Sequence, residues 1–137
     1  MNGDGLEDDP SIRDECELLR RVPLKRDVNI VWDDNQRRWR PSSASFQDHP
    51  NGSPMSVVLG DALVEAGRSA LEVLAGHDGF GLAAIHAGTV RDHQLGVVKD
   101  PLPSEPAHGL VTGDKKRRKV SRQLAKLSRW VVPPDIN

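Results

Sequence analysis

The stretch GFGLAAIHAGTVRDHQLGVVKD, residues 79–100, decides the fold class. GFGLAAI (79–85) is an apolar run of strand length and reads as a buried strand. AGTVRDH then supplies one or two helical turns, and LGVVKD reads as a second buried strand. Downstream, PLPSEP (101–106) is a Pro-rich loop and AHGLVT (107–112) a third strand. Short strands alternating with short helices predict an α+β fold: a small mixed β-sheet with two or three packed helices.

Working upstream, Leu63, Ala66, Ala70 and Leu74, with Leu71 beside them, predict a helix over residues 61–75, weakened by Gly67. MSVVL (55–59) reads as a short strand or a helix lead-in, and DHPNGSP (48–54) as a loop. VNIVWDDNQRRWRP (28–41) has the alternation and turn chemistry of a hairpin. A tip at Asp34 and Asn35 sets Ile30 opposite Trp39 and Trp32 opposite Arg37, with the two Trp on one face and Arg37 near an indole. SSASF (42–46) continues extended. Ile12, Cys16 and Leu19 fall at i, i+4, i+7, which predicts a helix over residues 11–21 with Ser11 as N-cap and Pro23 closing it.

Size and composition set bounds. A chain of 137 residues fits one domain, expected over residues 11–131, between a disordered acidic lead (1–10) and a frayed end (132–137). With no Tyr and two Phe, the core must rest on Val, Leu, Ile and Ala together with three Trp. A lone Cys16 excludes an internal disulfide and a Cys-based zinc site. The first ten residues are the reverse of a signal peptide, and no apolar run approaches the ~20 residues that cross a bilayer, so a soluble, cytoplasmic protein is expected.

The net charge of −1 hides an asymmetry. Residues 1–17 hold seven acids and one base, whereas residues 114–129 hold eight bases and one acid. DKKRRKVSRQLAKLSRW (114–130) predicts a basic helix with Asp114 as cap and Val120, Leu124 and Leu127 as its packed stripe, Leu124 at the centre. Lys115, Lys116, Arg117, Arg118 and Lys119 would then crowd the positive end of the helix dipole, an adverse placement that phosphates or carboxylates relieve. With Arg122, Lys126 and Arg129, they form the candidate anion-binding set. The leading expectation is a non-enzymatic protein that engages a polyanion, nucleic acid first because its phosphates are dense and binding releases counterions. The run could instead be a solvated face, or be neutralised by the acidic N-terminus.

Two further readings stand beside it. One is a small enzyme with a ligand pocket near Arg20, Ser42, Ser43, His86 and His108, in which the two histidines flank buried strands and lie at the same end of the sheet. The other is an accessory module whose basic helix meets an acidic protein. There is no H-E-x-x-H, no Cys cluster and no acidic triplet at ligand spacing, so neither metal nor cofactor is expected. Phosphate-loop, dinucleotide and nucleophile-elbow motifs are also missing.

Taken in order, LLRRVP, RPSSASF, PMSV, GFGLAAIHAG, DPLPSEPAHGLVTGDKK and LAKLSRW resemble a family of small uncharacterised bacterial proteins. The resemblance covers about residues 16–131. It implies one α+β domain and carries no known activity, hence no catalytic residue. Asp114 and the longer basic run depart from the family pattern, which has Gly-Lys-Lys directly after the last strand.

Overall fold

A strand buried on both faces needs an unbroken apolar run, and Phe80–His86 is such a strand. The computed structural model describes residues 6–116 and 119–134. Its elements, in order, are β1 (Glu17–Pro23), β2 (Ile30–Asp33), β3 (Arg38–Pro41), a 3-10 helix (Ser43–Phe46), β4 (Met55–Leu59), α1 (Gly60–Glu65), a second 3-10 helix (Ala70–Leu74), β5 (Phe80–His86), α2 (Ala87–Asp92), β6 (Gly96–Lys99), β7 (His108–Thr112), α3 (Val120–Leu127) and β8 (Arg129–Val132). The fold is α+β. Six strands form one sheet in the order β6-β7-β4-β1-β5-β8, and β2-β3 form a separate hairpin. Every pairing between these strands is antiparallel, a more uniform sheet than the mixed one expected.

Side chains alternate between the faces of a strand, so β1 feeds two cores. Leu18 and Val22 join Met55, Val57, Ala83, Ile85, Val97 and Val111 on one face, beneath Ile30, Phe46, Val120 and Leu124. Leu19 joins Val58, Leu82 and Ala84 on the other, beneath Leu63, Val73 and Ala107. β5 meets both cores, which is why its interior carries no polar residue.

The helix expected over residues 11–21 is replaced by β1. Ile12, Cys16 and Leu19 are all buried, but so are Leu18 and Val22, and a helical stripe accounts for only the first set. Seven paired positions with β5 outweigh local helix preference. SSASF is not extended. Ser42 Oγ donates to the Val28 carbonyl (2.5 Å) and Ser45 Oγ to the Asn29 carbonyl (2.7 Å), which curls the segment and buries Phe46. The helix expected over 61–75 breaks at Gly67, whose φ of +69° suits glycine and ends α1. Val73 is buried there while Leu71 points to solvent.

The hairpin forms, with a longer tip. Trp32 lies opposite Trp39 and Ile30 opposite Pro41, because the loop runs from Asp34 to Arg37 with Arg37 at φ +56°. The two indoles meet edge to face at 5.8 Å, and Arg26, rather than Arg37, lies over Trp39 at 5.2 Å.

β6 is a sheet edge, and an edge strand needs cover. The lead provides it. Asp9 N–H donates to the Val97 carbonyl (2.8 Å), Val97 N–H to Asp8 Oδ1 (2.9 Å), and Thr112 Oγ1 to the Glu7 carbonyl (2.5 Å). The approach is so close that a Cβ on Gly96 would collide with the Glu7 carbonyl oxygen. Residues 7–9, expected to belong to a disordered lead, are therefore bonded to the sheet edge. Residues 1–5 lie outside the described residues, as do 135–137 of the expected frayed end. Val132 at the start of that end pairs with Leu82 in β8. No helix among the described residues is long and apolar enough to cross a membrane.

Candidate functional site

The basic run does not form one long helix. α3 begins at Val120, after Lys119 turns through φ +64°, and ends at Leu127. Asp114 accepts from the Lys116 N–H (2.9 Å), a local turn that lies ahead of the helix instead of capping it. Trp130 belongs to β8, and its Nε1–H donates to the Trp39 carbonyl (3.0 Å). Val120 and Leu124 are buried as expected, but Leu127 is 55% exposed and Ala125 takes its place in the core. The packed positions 120, 121, 124, 125 and 128 follow one face of an eight-residue helix.

This geometry divides the eight predicted anion-binding residues. Lys115 is 4% exposed, and its Nζ lies 2.6 Å from Asp48 Oδ1 and 3.0 Å from the Gly113 carbonyl. Its charge is spent inside the protein, a correction to its expected role. Arg129 pairs with Glu17. Arg117 and Arg118 lie outside the described residues. Lys126 is exposed on α3. Lys116, Lys119 and Arg122 remain together, lining with Lys115, Ser43, Gln47 and Ser121 a shallow depression of about 330 Å³ that has no carboxylate in its wall among the described residues. The first hydrogen bond of α3 runs from Gln123 N–H to the Lys119 carbonyl (2.8 Å), so the three preceding N–H groups make no bond within the helix.

Four acids of the N-terminal segment are directed elsewhere. Asp8 and Asp14 hold Arg91 at 3.1 and 2.6 Å, Glu15 faces Arg13 and Glu17 faces Arg129. Among the described residues, no carboxylate of residues 6–17 reaches Lys116, Lys119 or Arg122.

A second concavity lies in the sheet itself. β1 pairs with β4 at only two positions, Leu18 with Leu59 and Leu19 with Val58, whereas β1 follows β5 over seven. Beyond Leu19 the two strands part. A cleft of about 470 Å³ opens there, lined by Arg20, Arg21, His49, Ser56, His77, Glu105 and His108 together with Leu19, Val58 and Phe80. Arg20 donates from Nε to the Ser45 carbonyl (3.0 Å) and from Nη1 to the Ser56 carbonyl (2.8 Å). Burial, against the opposing pull of Asp48, lowers its pKa to about 10. Arg21 donates from Nε to the Val73 carbonyl (2.7 Å). His49 Nε2 lies 3.1 Å from Ser56 Oγ, and His108 Nδ1 lies 3.0 Å from the Asp100 carbonyl oxygen and from Asp100 Oδ2. His77 packs edge-on to Phe80 at 5.7 Å. Glu105 is the cleft's carboxylate, and it is occupied. Arg68 grips both oxygens (2.6 and 2.8 Å) and Ala107 N–H donates to one (3.1 Å), so the Arg68 bonds hold its pKa below the usual range.

Of the expected pocket residues, Arg20 and His108 meet in this cleft. Ser42 is tied to Val28, and Ser43 sits beside the basic depression on the side of the sheet that carries α3. His86 is exposed opposite Glu17 on β5. The register runs from His108 through Val58 and Leu19 to Ala84, three strand spacings or about 14 Å away, and His86 lies two residues further along β5. The two share an end and a face of the sheet but do not converge. Arg21, His49, Ser56 and His77 were missed. The alternation of a strand over 17–23 would have placed Arg21 beside Leu19, but only with β1 correctly read as a strand. No group of three His, Cys, Asp or Glu among the described residues could hold a metal ion. Cys16 is buried, which raises its thiol pKa and leaves it unreactive.

Comparison of the chain with protein-family models, curated proteins and solved structures finds no match.

Proposed function

We propose that the protein binds a polyanion, nucleic acid by preference, through Lys116, Lys119 and Arg122 at the start of α3, with Lys126 and the sequence-adjacent Arg117 and Arg118 extending the basic run. One observation supports this reading above the others. Among the described residues no carboxylate lines the depression, while Asp8, Asp14, Glu15 and Glu17 of the acidic N-terminus pair with Arg91, Arg13 and Arg129 instead. Phosphate oxygens suit such a site, because side-chain cations and the amides of a helix start both donate to them. Contacts of this kind bring affinity without sequence preference.

The test is fluorescence anisotropy with short single- and double-stranded DNA and RNA. Three phosphate contacts predict a slope of about −2.7 in log K against log salt on duplex DNA, steeper if Arg117 and Arg118 take part. The variant Lys116→Gln/Lys119→Gln/Arg122→Gln should lose most of the affinity and melt like the parent. Lys115 is left intact in that variant because it supports the fold. No binding at low salt would refute the reading, and binding of polyglutamate in its place would favour an acidic protein partner.

A further inference from the structure

We propose that the cleft where β1 and β4 part is a binding site for a small phosphate monoester, separate from the basic depression. Four observations converge on it. Its volume of about 470 Å³ falls in the range of small-ligand sites, ~300–1,000 Å³. Its cations are not paired off: among the described residues Arg20 and Arg21 form no ion pair, Asp48 and Glu105 act on them only from beyond contact, and both Glu105 oxygens are held by Arg68. A guanidinium kept from water and held only by carbonyls is costly, and an anion in the cleft offsets that cost. The remaining polar groups add single donors: the His77 ring, and either Ser56 or His49, which share one hydrogen bond, whereas His108 Nδ1 is engaged by Asp100.

Phosphate fits better than carboxylate. A monoester carries about −1.5 to −2 charges at neutral pH and three terminal oxygens, which suit a cleft lined by two arginines, approaching from opposite faces of the sheet, and by single donors. Leu19, Val58 and Phe80 supply an apolar wall for the organic group that carries it. The cleft exists because the sheet splits. Had β4 continued to pair with β1 beyond Leu19, ladder hydrogen bonds would close the space that Arg20 now bridges to the Ser56 carbonyl.

The test is isothermal titration of the full chain with phenyl phosphate and inorganic phosphate, with benzoate as the carboxylate control. Phenyl phosphate should bind more tightly than either. Arg21→Gln should weaken it by about tenfold or more, and His77→Ala, a milder change at the Phe80 side, should weaken it as well. Arg20→Gln risks the fold, since Arg20 ties Ser45 to Ser56. Ring ¹⁵N shifts of His49, His77 and His108 in the parent therefore provide the second readout, and they should move on titration. The Lys116→Gln/Lys119→Gln/Arg122→Gln variant should lose nucleic acid and still bind phenyl phosphate. Phenyl phosphate binding that survives Arg21→Gln and His77→Ala, or that leaves the three rings unshifted, would overturn the proposal. So would benzoate binding as tightly as phenyl phosphate, or no binding of phenyl phosphate at all.

Discussion

Replacing Lys115 with Ala removes one partner of a buried ion pair. Its side chain is 2% exposed and its ammonium lies 2.6 Å from Asp48, while the Asp48 side chain keeps 32% of its surface in water. Breaking a fully buried pair costs ~3–5 kcal/mol, because the surviving charge is stranded. Asp48 is not stranded. It can rehydrate, and it keeps the Met55 N–H donor at 3.0 Å, so the expected loss is about 2–3 kcal/mol. Unfolding entropy of ~2.1 cal/mol/K per residue gives ~0.3 kcal/mol per degree for 137 residues, hence a fall of about 7–10 °C in the melting midpoint. Differential scanning calorimetry and urea titration at neutral pH measure it. Lys115→Met with Asp48→Asn removes both charges and keeps the volume, so it should be more stable than Lys115→Ala. The reasoning is refuted if Lys115→Ala melts within about a degree of the parent while its nucleic-acid affinity falls. Lys115 would then act on the surface with its neighbours.

Leu124→Ala should cost about 2–4 kcal/mol in urea unfolding, since Leu124 is fully buried beneath the sheet and its removal leaves a cavity; a parent-like melt would mean that α3 is not docked. Glu105 is held below the usual carboxylate range by Arg68, so its contribution is present above the unfolded value, near 4.3, and lost as pH falls through the lowered folded value. The stability gap between the parent and Glu105→Gln should therefore be steady near neutrality and shrink in acid below about pH 4. A gap that stays constant into acid would show that the Arg68 bonds do not depend on the carboxylate charge.

The elements legible in the sequence are those whose local pattern and tertiary role agree. β5, α2 and β6 follow the reading of residues 79–100 because an apolar run bounded by turns has few other uses. Leu124 was identifiable because any packed face of that segment must contain it. Residues 11–21 were misread because Ile12, Cys16 and Leu19 satisfy a helical period, although the chain there is drawn straight by pairing with β5. The stripe named buried residues correctly and assigned them to the wrong element.

For the candidate sites, the local sequence pointed to a concentration of positive charge near the C-terminus, and positions beside predicted strands marked Arg20 and His108 as residues of interest. Charge is a property of residue type, so it survives any folding. Which cations remain available is decided by distance, and distance belongs to the tertiary structure. Asp48 comes from a loop 67 residues before Lys115, and Glu17 lies 112 residues before Arg129. Neither pairing leaves a mark on the local sequence. The cleft depends on folding more completely still: it exists where two strands stop pairing, and its lining is gathered from β1, β4 and the loops around His49, His77 and Glu105. Residue types determine what chemistry the chain can offer. Long-range strand register determines which of those groups face one another, because a shift of one residue sends every side chain to the opposite face.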